Sequence, residues 1–222
     1  MRRALSRRTL VALAGTLAGC VALPAGGPPP RLLRLQPRPV FPDDLPRVMW
    51  ALAVAEPWAE RALDTDRVAV LTAGREFAYL EGVRWTDRLP RLFQLLTVRA
   101  FLASGAVAAV ATDRDPLRPH FLLRAVLEAF QLETGGEGGR RVRVSLMATL
   151  LRLPWRRAVA SRRFVGEAPV TGRDLAAIGG AFDAALAPLL ARMVTWTLAR
   201  GEEDWRRTPP PSWPEGVPFP FP

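Results

Sequence analysis

The sequence predicts a single α+β domain in which two main helices pack on a mostly antiparallel sheet. Apolar residues alternate along two neighbouring segments, 121–133 and 142–153, as in strands that bury one face. Two other stretches, 91–104 and 175–196, carry apolar residues at the spacing of buried helices. With 222 residues and a hydrophobic content of 49%, the chain is long enough to bury one sizeable core.

The N-terminal residues predict an export signal. Four arginines lie within positions 2–8, an apolar run covers 10–18, and Gly19-Cys20 follows directly. The run is about half of the roughly 20 residues that a membrane-spanning helix needs. Leu17-Ala18-Gly19-Cys20 resembles the lipobox of bacterial lipoproteins, which implies cleavage between Gly19 and Cys20 and fatty acyl chains, such as palmitate, on Cys20. Residues 1–19 are therefore interpreted as a signal peptide.

Two further features concern export and sorting. Ser6-Arg7-Arg8-Thr9-Leu10 is similar to a twin-arginine signal, and the choice between that route and the general secretory route stays open. Val21 follows the cysteine, whereas lipoproteins retained in the inner membrane often have Asp there, so sorting to the outer membrane is favoured. Residues 20–30, the lipidated Cys and a Pro- and Gly-rich stretch, are interpreted as a flexible spacer.

Strands are predicted for the first part of the domain, which begins at residue 31. A first strand covers 31–35, and a second covers 48–55 before Glu56-Pro57 ends it. Residues 67–72 and 76–80 flank Ala73-Gly74-Arg75, which indicates a hairpin.

A helix is predicted next, over 91–104. Thr86 and Asp87 supply capping oxygens, Pro90 suits a first helical turn, and Gly105 is typical of a helix end. Four consecutive strands are predicted after it, as an antiparallel meander with a turn at Gly135-Gly136-Glu137-Gly138-Gly139: 107–111, 121–133, 142–153 and 158–165.

The last predicted element is a long helix across the sheet. Thr171 and Asp174 have the spacing of a capping box, and Pro188 predicts a kink. Its apolar stripe consists of Leu175, Ile178, Phe182, Leu186, Leu189, Met193 and Trp196. Residues 201–222 are interpreted as a Pro- and Trp-rich tail that is either disordered or docked in an extended form on a partner.

The sequence offers no catalytic set. Cys20 is the one cysteine and His120 the one histidine, so neither a Ser-His-Asp triad nor a multi-histidine or cysteine-rich metal site can be assembled. His120 is interpreted as a surface or strand-edge residue. The acidic groups at 113–115 and 202–204 are interpreted as solvated loop charges. We therefore expect no enzyme activity, no cofactor and no metal.

The charge balance does not predict nucleic-acid binding. The formal net charge of +10 includes the four leader arginines, and without them 27 basic residues remain against 21 acidic ones, which gives +6. Aromatic residues are not interleaved with the arginines in any run.

Two ordered motifs carry a resemblance to a known family. Leu63-Asp64-Thr65-Asp66-Arg67 and Arg84-Trp85-Thr86-Asp87-Arg88-Leu89-Pro90 lie between the lipobox and the late helix. In this order they resemble the ABC-type transport auxiliary lipoproteins, the PqiC-like lipoproteins of MCE lipid-transport systems. The resemblance covers about residues 17–200, and the auxiliary domain is assigned to 31–200.

The resemblance implies a non-enzymatic lipoprotein of the outer membrane that faces the periplasm. Its implied partners are a periplasmic MCE-domain protein and an ABC permease and ATPase that move phospholipid or sterol-like lipids. Trp85, Asp87 and Trp196 are the candidates for a structural or partner-docking role, with Trp85 as an anchor near a helix start and Asp87 as its cap.

The residues leave several points open. One alternative is a general outer-membrane assembly or envelope-integrity lipoprotein, and another is a periplasmic hydrolase. The transported lipid, lipid binding by this subunit and the formation of a homo-oligomer are not decided by the sequence.

Overall fold

The computed structural model describes residues 28–73, 75–136 and 139–208. Its elements are β1 (Arg31–Leu33), β2 (Val48–Val54), β3 (Trp58–Ala59), β4 (Arg67–Thr72), β5 (Phe77–Trp85), α1 (Leu89–Ser104), β6 (Val107–Thr112), β7 (Phe121–Gly136), β8 (Gly139–Arg152), β9 (Arg157–Pro169) and α2 (Leu175–Arg207). The strands form a single sheet, and the predicted α+β class with two main helices is confirmed.

The sheet is organised around the long strand β7. On one side, β8 and then β9 follow in antiparallel order. On the other side, β2, β3 and β4 lie one after another along β7, all parallel to it. Beyond these, β6 is parallel to β2, β5 is antiparallel to β4, and β1 is parallel to β5. The sheet is therefore mixed rather than purely antiparallel.

The predicted four-strand meander is confirmed for its last three strands and wrong for the first. The β7–β8 pairing continues to Gly136 and Gly139, as the glycine-rich turn predicts. Val107–Thr112 instead pairs with β2. The reason is that α1 carries the chain back along the face of the sheet, so that the next strand runs parallel to β2 at its free edge.

The core lies between the sheet and the two helices. Helix α2 packs on β8 and β9, and α1 packs on β6. The predicted stripe of α2 is buried from Ile178 to Trp196, while Leu175 is partly buried. By length and composition alone α2 could span a membrane, but 56% of its most apolar stretch is buried in the protein, as in a core helix.

Both ends of α2 differ from the sequence prediction. Asp174 is the N-cap, and its Oδ1 accepts a hydrogen bond of 2.8 Å from the backbone N–H of Ala177, so Thr171 lies before the cap. At the other end the helix passes Pro188 and continues to Arg207. Residues 201–207 are thus helical rather than the start of the tail, and Glu202, Glu203 and Asp204 do not lie in a loop.

Gly166 in β9 sets how closely α2 can approach the sheet. A Cβ at this position would lie 2.3 Å from the carbonyl oxygen of Ala185 and 3.1 Å from its carbonyl carbon. Both atoms belong to the helix backbone, so the helix would have to move. We expect Gly166→Ala to lower the free energy of unfolding by about 1–3 kcal/mol, as overpacking does, in urea denaturation.

Gly180→Ala is the matched control for this prediction. Gly180 is exposed on α2, and apart from its chain neighbours and the helix's own backbone no atom lies within 4 Å of the added Cβ. Alanine favours the helix over glycine by about 1 kcal/mol, so this variant should be more stable than the wild type. Equal effects of the two substitutions would show that the approach at Gly166 does not limit the packing.

Candidate functional site

The two motif stretches, distant in the sequence, meet in the fold. Residues 60–66 form the turn before β4, and Arg84–Pro90 covers the junction of β5 and α1. The backbone N–H of Trp85 donates to the carbonyl oxygen of Asp66 at 2.7 Å, and that of Leu89 donates to the carbonyl oxygen of Thr65 at 2.9 Å. Main-chain hydrogen bonds therefore join the motifs into a single structural unit.

Charged side chains cover this junction in an arrangement that we call the motif network: Glu56, Asp64, Asp66, Arg84, Arg88 and Arg114. Arg88 bridges Glu56 and Asp64, with 2.6 Å between its Nη1 and Oδ1 of Asp64. Arg114 Nη2 lies 3.2 Å from the other oxygen of Glu56. Arg84 Nη1 donates to both carboxylate oxygens of Asp66, at 2.7 and 2.8 Å.

The network orients the junction more than it stabilises the fold. The arginine side chains are 45–68% exposed, so each pair contributes on the order of 0–1 kcal/mol in water. Glu56 is the exception, since its side chain is only 16% exposed and is shared by two arginines. The result is a fixed pattern of charges at the surface, above the buried start of α1.

Asp87 does not have the capping role that the sequence predicts. The N-cap of α1 is Arg88, and no side chain caps the helix. Asp87 Oδ1 instead accepts a hydrogen bond of 2.7 Å from the N–H of the next residue, Arg88, and Oδ2 lies 3.2 Å from Nε of Arg91. Its carboxylate is thus held beside the helix start by local contacts. Pro90 lies in the first turn, as predicted.

Trp85 lies beneath the motif network in the core. Its side chain is 1% exposed and makes edge contacts with Phe182 at 4.9 Å and Phe130 at 5.5 Å between ring centroids. Among the described residues, its indole Nε1 has no hydrogen-bond partner. Trp196 is also a core residue, 8% exposed, with its ring 5.6 Å from that of Phe164.

A second cluster, which the sequence reading missed, lies at the end of α2. Arg152 is buried between two aromatic rings, 4.5 Å from the ring centroid of Trp205 and 4.8 Å from that of Phe121. Its Nη2 donates to the carbonyl oxygen of Thr208 at 3.0 Å. Asp204 lies 3.5 Å from Arg152 and 2.6 Å from Arg157. These contacts hold the last turn of α2 against the ends of β7 and β8.

His120 is partly buried and belongs to this cluster, rather than lying on the open surface. Its Nδ1 accepts a hydrogen bond of 3.0 Å from the N–H of Ala51, and its ring meets Trp205 edge-on at 4.8 Å. Burial, and then the positive charge of Arg152, lower the pKa of His120. One sequence signal for the cluster exists, because Trp205 lies two helical turns after the buried Leu198.

A small apolar cavity of about 10 Å³ is lined by Phe93, Leu123 and Met193, all three of them buried, among others. Ordinary ligand pockets measure roughly 300–1,000 Å³. Within the part of the chain that the structure describes, no group of three His, Cys, Asp or Glu side chains is arranged to hold a metal ion. Gly19, Cys20 and the tail residues 209–222 lie outside the described residues.

The fold and the joined motifs define a small α+β domain with a mixed sheet and two main helices. The chain belongs to the ABC-type transport auxiliary lipoprotein family, whose model matches residues 32–194.

Two solved structures and one curated relative are similar to the chain. A crystal structure of protein XCC0632 from Xanthomonas campestris is 31% identical, with a TM-score of 0.72 over 79% of this chain and 99% of that one. A second structure, of an uncharacterized protein, shares the fold at 15% identity, with a TM-score of 0.53 over 78% of this chain and 99% of that one. An uncharacterized protein of Bradyrhizobium diazoefficiens is 27% identical over 190 residues, which are 84% of this chain. The chain spans about half the length of that curated relative.

Proposed function

We propose that the protein is the auxiliary lipoprotein of an MCE lipid-transport system, anchored through Cys20 in the outer membrane and facing the periplasm. The observation that carries the proposal is the family match over residues 32–194, preceded in the sequence by a predicted signal peptide, residues 1–19, and then by Cys20. Transport auxiliary lipoproteins have a non-catalytic role, so the protein's contribution is to bind and position its partners. Val21 after the cysteine favours the outer membrane over the inner one.

The direction of the strands supports a defined orientation on the membrane. β1 is parallel to β5, β5 is antiparallel to β4, and β4 is parallel to β7, so β1 runs opposite to β7. Arg31, where β1 begins, therefore lies toward the end of the sheet with the Gly136–Gly139 turn. Helix α2 ends at the opposite end of the sheet. In this proposal the first end faces the anchoring membrane and the second faces the periplasm.

The size of the cavity also supports an assignment of separate roles to the subunits of the transport system. The cavity lined by Phe93, Leu123 and Met193 is far smaller than an ordinary ligand pocket, so it has no room for an acyl chain. We therefore assign lipid carriage to the MCE protein and the energy supply to the permease and ATPase. The lipoprotein docks the MCE protein at the outer membrane. Self-association into a homo-oligomer would increase the number of contacts between the lipoprotein and the MCE protein.

Co-purification from native membranes tests the proposal. The full lipidated chain, solubilised in mild detergent, should retain the MCE-domain protein encoded near it, and an unrelated outer-membrane lipoprotein of similar size should not. Recovery of outer-membrane assembly proteins without any MCE protein would favour the envelope-integrity alternative. Retention of neither class of protein would contradict the docking role.

A further inference from the structure

We give the name aromatic shelf to three aromatic side chains near the end of the sheet where α2 terminates: His120 and Trp205, and Trp155, which follows three residues after Arg152, a neighbour of Trp205. His120 and Trp205 are in edge contact, and both are partly exposed. Trp155 is 75% exposed, so a large apolar side chain is left uncovered there. It lies in the turn between β8 and β9, with arginines on both sides of that turn.

The turn that carries Trp155 is attached to the last residues of α2. Arg152 precedes the turn and binds Thr208 and Asp204, while Arg157 follows the turn and also binds Asp204. Trp155 is three residues from Arg152, so it cannot lie more than roughly 11 Å along the chain from the residue that holds Thr208. The shelf is therefore next to the point where the chain leaves the helix.

A proline-rich segment follows the end of α2 in the sequence. Thr208 has φ −134° and ψ 77°, which ends the helix, and Pro209-Pro210-Pro211 follow. Seven of the 14 residues from 209 to 222 are proline, and Trp213, Phe219 and Phe221 lie among them. Such composition favours the polyproline II helix, which loses little entropy on binding and is recognised by surfaces lined with aromatic side chains.

We propose that the aromatic shelf binds the proline-rich segment 209–222 of the same chain. At about 3.1 Å per residue this segment reaches roughly 43 Å, far more than the distance to Trp155 requires. A short connection gives an effective concentration in the millimolar range, so even a weak interaction is occupied within one molecule. The inference does not depend on the proposed transport function.

A labelled peptide with the sequence of residues 209–222 tests the proposal by fluorescence anisotropy. The peptide should bind saturably to the mature chain truncated after Thr208, and about tenfold more weakly to the full mature chain, whose own segment competes for the shelf. Trp155→Ala in the truncated chain should weaken the binding by about tenfold or more. Trp58→Ala is the matched control, because Trp58 is 64% exposed on β3 and pairs with Val126, five residues along β7 from Phe121, and it should leave binding unchanged.

Three outcomes would overturn the proposal. The first is an absence of peptide binding to a truncated chain whose near-ultraviolet circular dichroism is native. The second is equal binding to the full and truncated chains, since the shelf would then be free for a different occupant. The third is an equal effect of Trp155→Ala and Trp58→Ala.

A second measurement uses the full mature chain and does not depend on the truncation. Trp155 is replaced by the photo-crosslinker benzoylphenylalanine, and the products are mapped by mass spectrometry. The proposal predicts crosslinks to residues 209–222 within one chain. Crosslinks only between chains, or only to other segments, would contradict it.

Discussion

Replacing Trp85 by alanine should lower the free energy of unfolding by about 3–5 kcal/mol, the usual cost of removing a buried tryptophan. The side chain is 1% exposed and contacts the rings of Phe130 and Phe182, which belong to β7 and α2. The alanine variant would therefore leave a cavity between the sheet, which includes β5 and β7, and helix α2. Urea denaturation of the mature chain, followed by circular dichroism, measures this loss.

Two further variants identify the cause of the effect. Trp85→Phe keeps most of the aromatic surface and removes an indole N–H that has no partner among the described residues, so its cost should be clearly smaller. Trp58→Ala removes a tryptophan that is 64% exposed, and we expect a change within about 0.5 kcal/mol. If Trp85→Ala were no more destabilising than Trp58→Ala, Trp85 could not be an anchor of the core.

Local patterns were sufficient to predict the elements whose partners are close in sequence. The alternation in β7 and β8 fixes which face is buried, and the short glycine-rich connection leaves antiparallel pairing as the direct solution. The apolar stripe of α2 similarly identifies the face that covers the sheet. In each case the deciding interaction lies within one element or between immediate neighbours.

Long-range pairing could not be predicted in the same way. Val107–Thr112 has apolar content that suits any buried strand, and nothing within it distinguishes β2 from β7 as the partner. β3 has only two residues, and its pairing depends on the lengths of the connections that place it between β2 and β4 along β7. The sequence order therefore predicts one strand too many in the meander.

The end of α2 shows why the second cluster was missed. Gly201, followed by Glu202, Glu203 and Asp204, looks like a helix end. The fold uses this glycine differently, because a Cβ at Gly201 would lie 2.5 Å from the ring of Trp50. It permits a close approach of the helix to β2, and the helix then continues to bring Asp204 and Trp205 to Arg152. Only the three-dimensional packing distinguishes these two uses of glycine.

Replacing Cys20 by serine should abolish membrane attachment. In the proposal the thiol of Cys20 carries the lipid, each buried methylene of which contributes about 0.8 kcal/mol, and several acyl chains together give a lasting anchor. A serine hydroxyl does not provide this attachment. We expect the acylated N-terminal peptide to disappear in mass spectrometry and the protein to leave the outer-membrane fraction.

Val21→Asp is the control that separates anchoring from sorting. This variant keeps the cysteine, so its N-terminal peptide should still be acylated, but the aspartate after the cysteine should shift the protein from the outer to the inner membrane fraction. If the wild-type protein retained residues 1–19 with an unmodified Cys20, both predictions would fail. The domain would then lack the anchor that brings its partner-binding end to the gap between the two membranes.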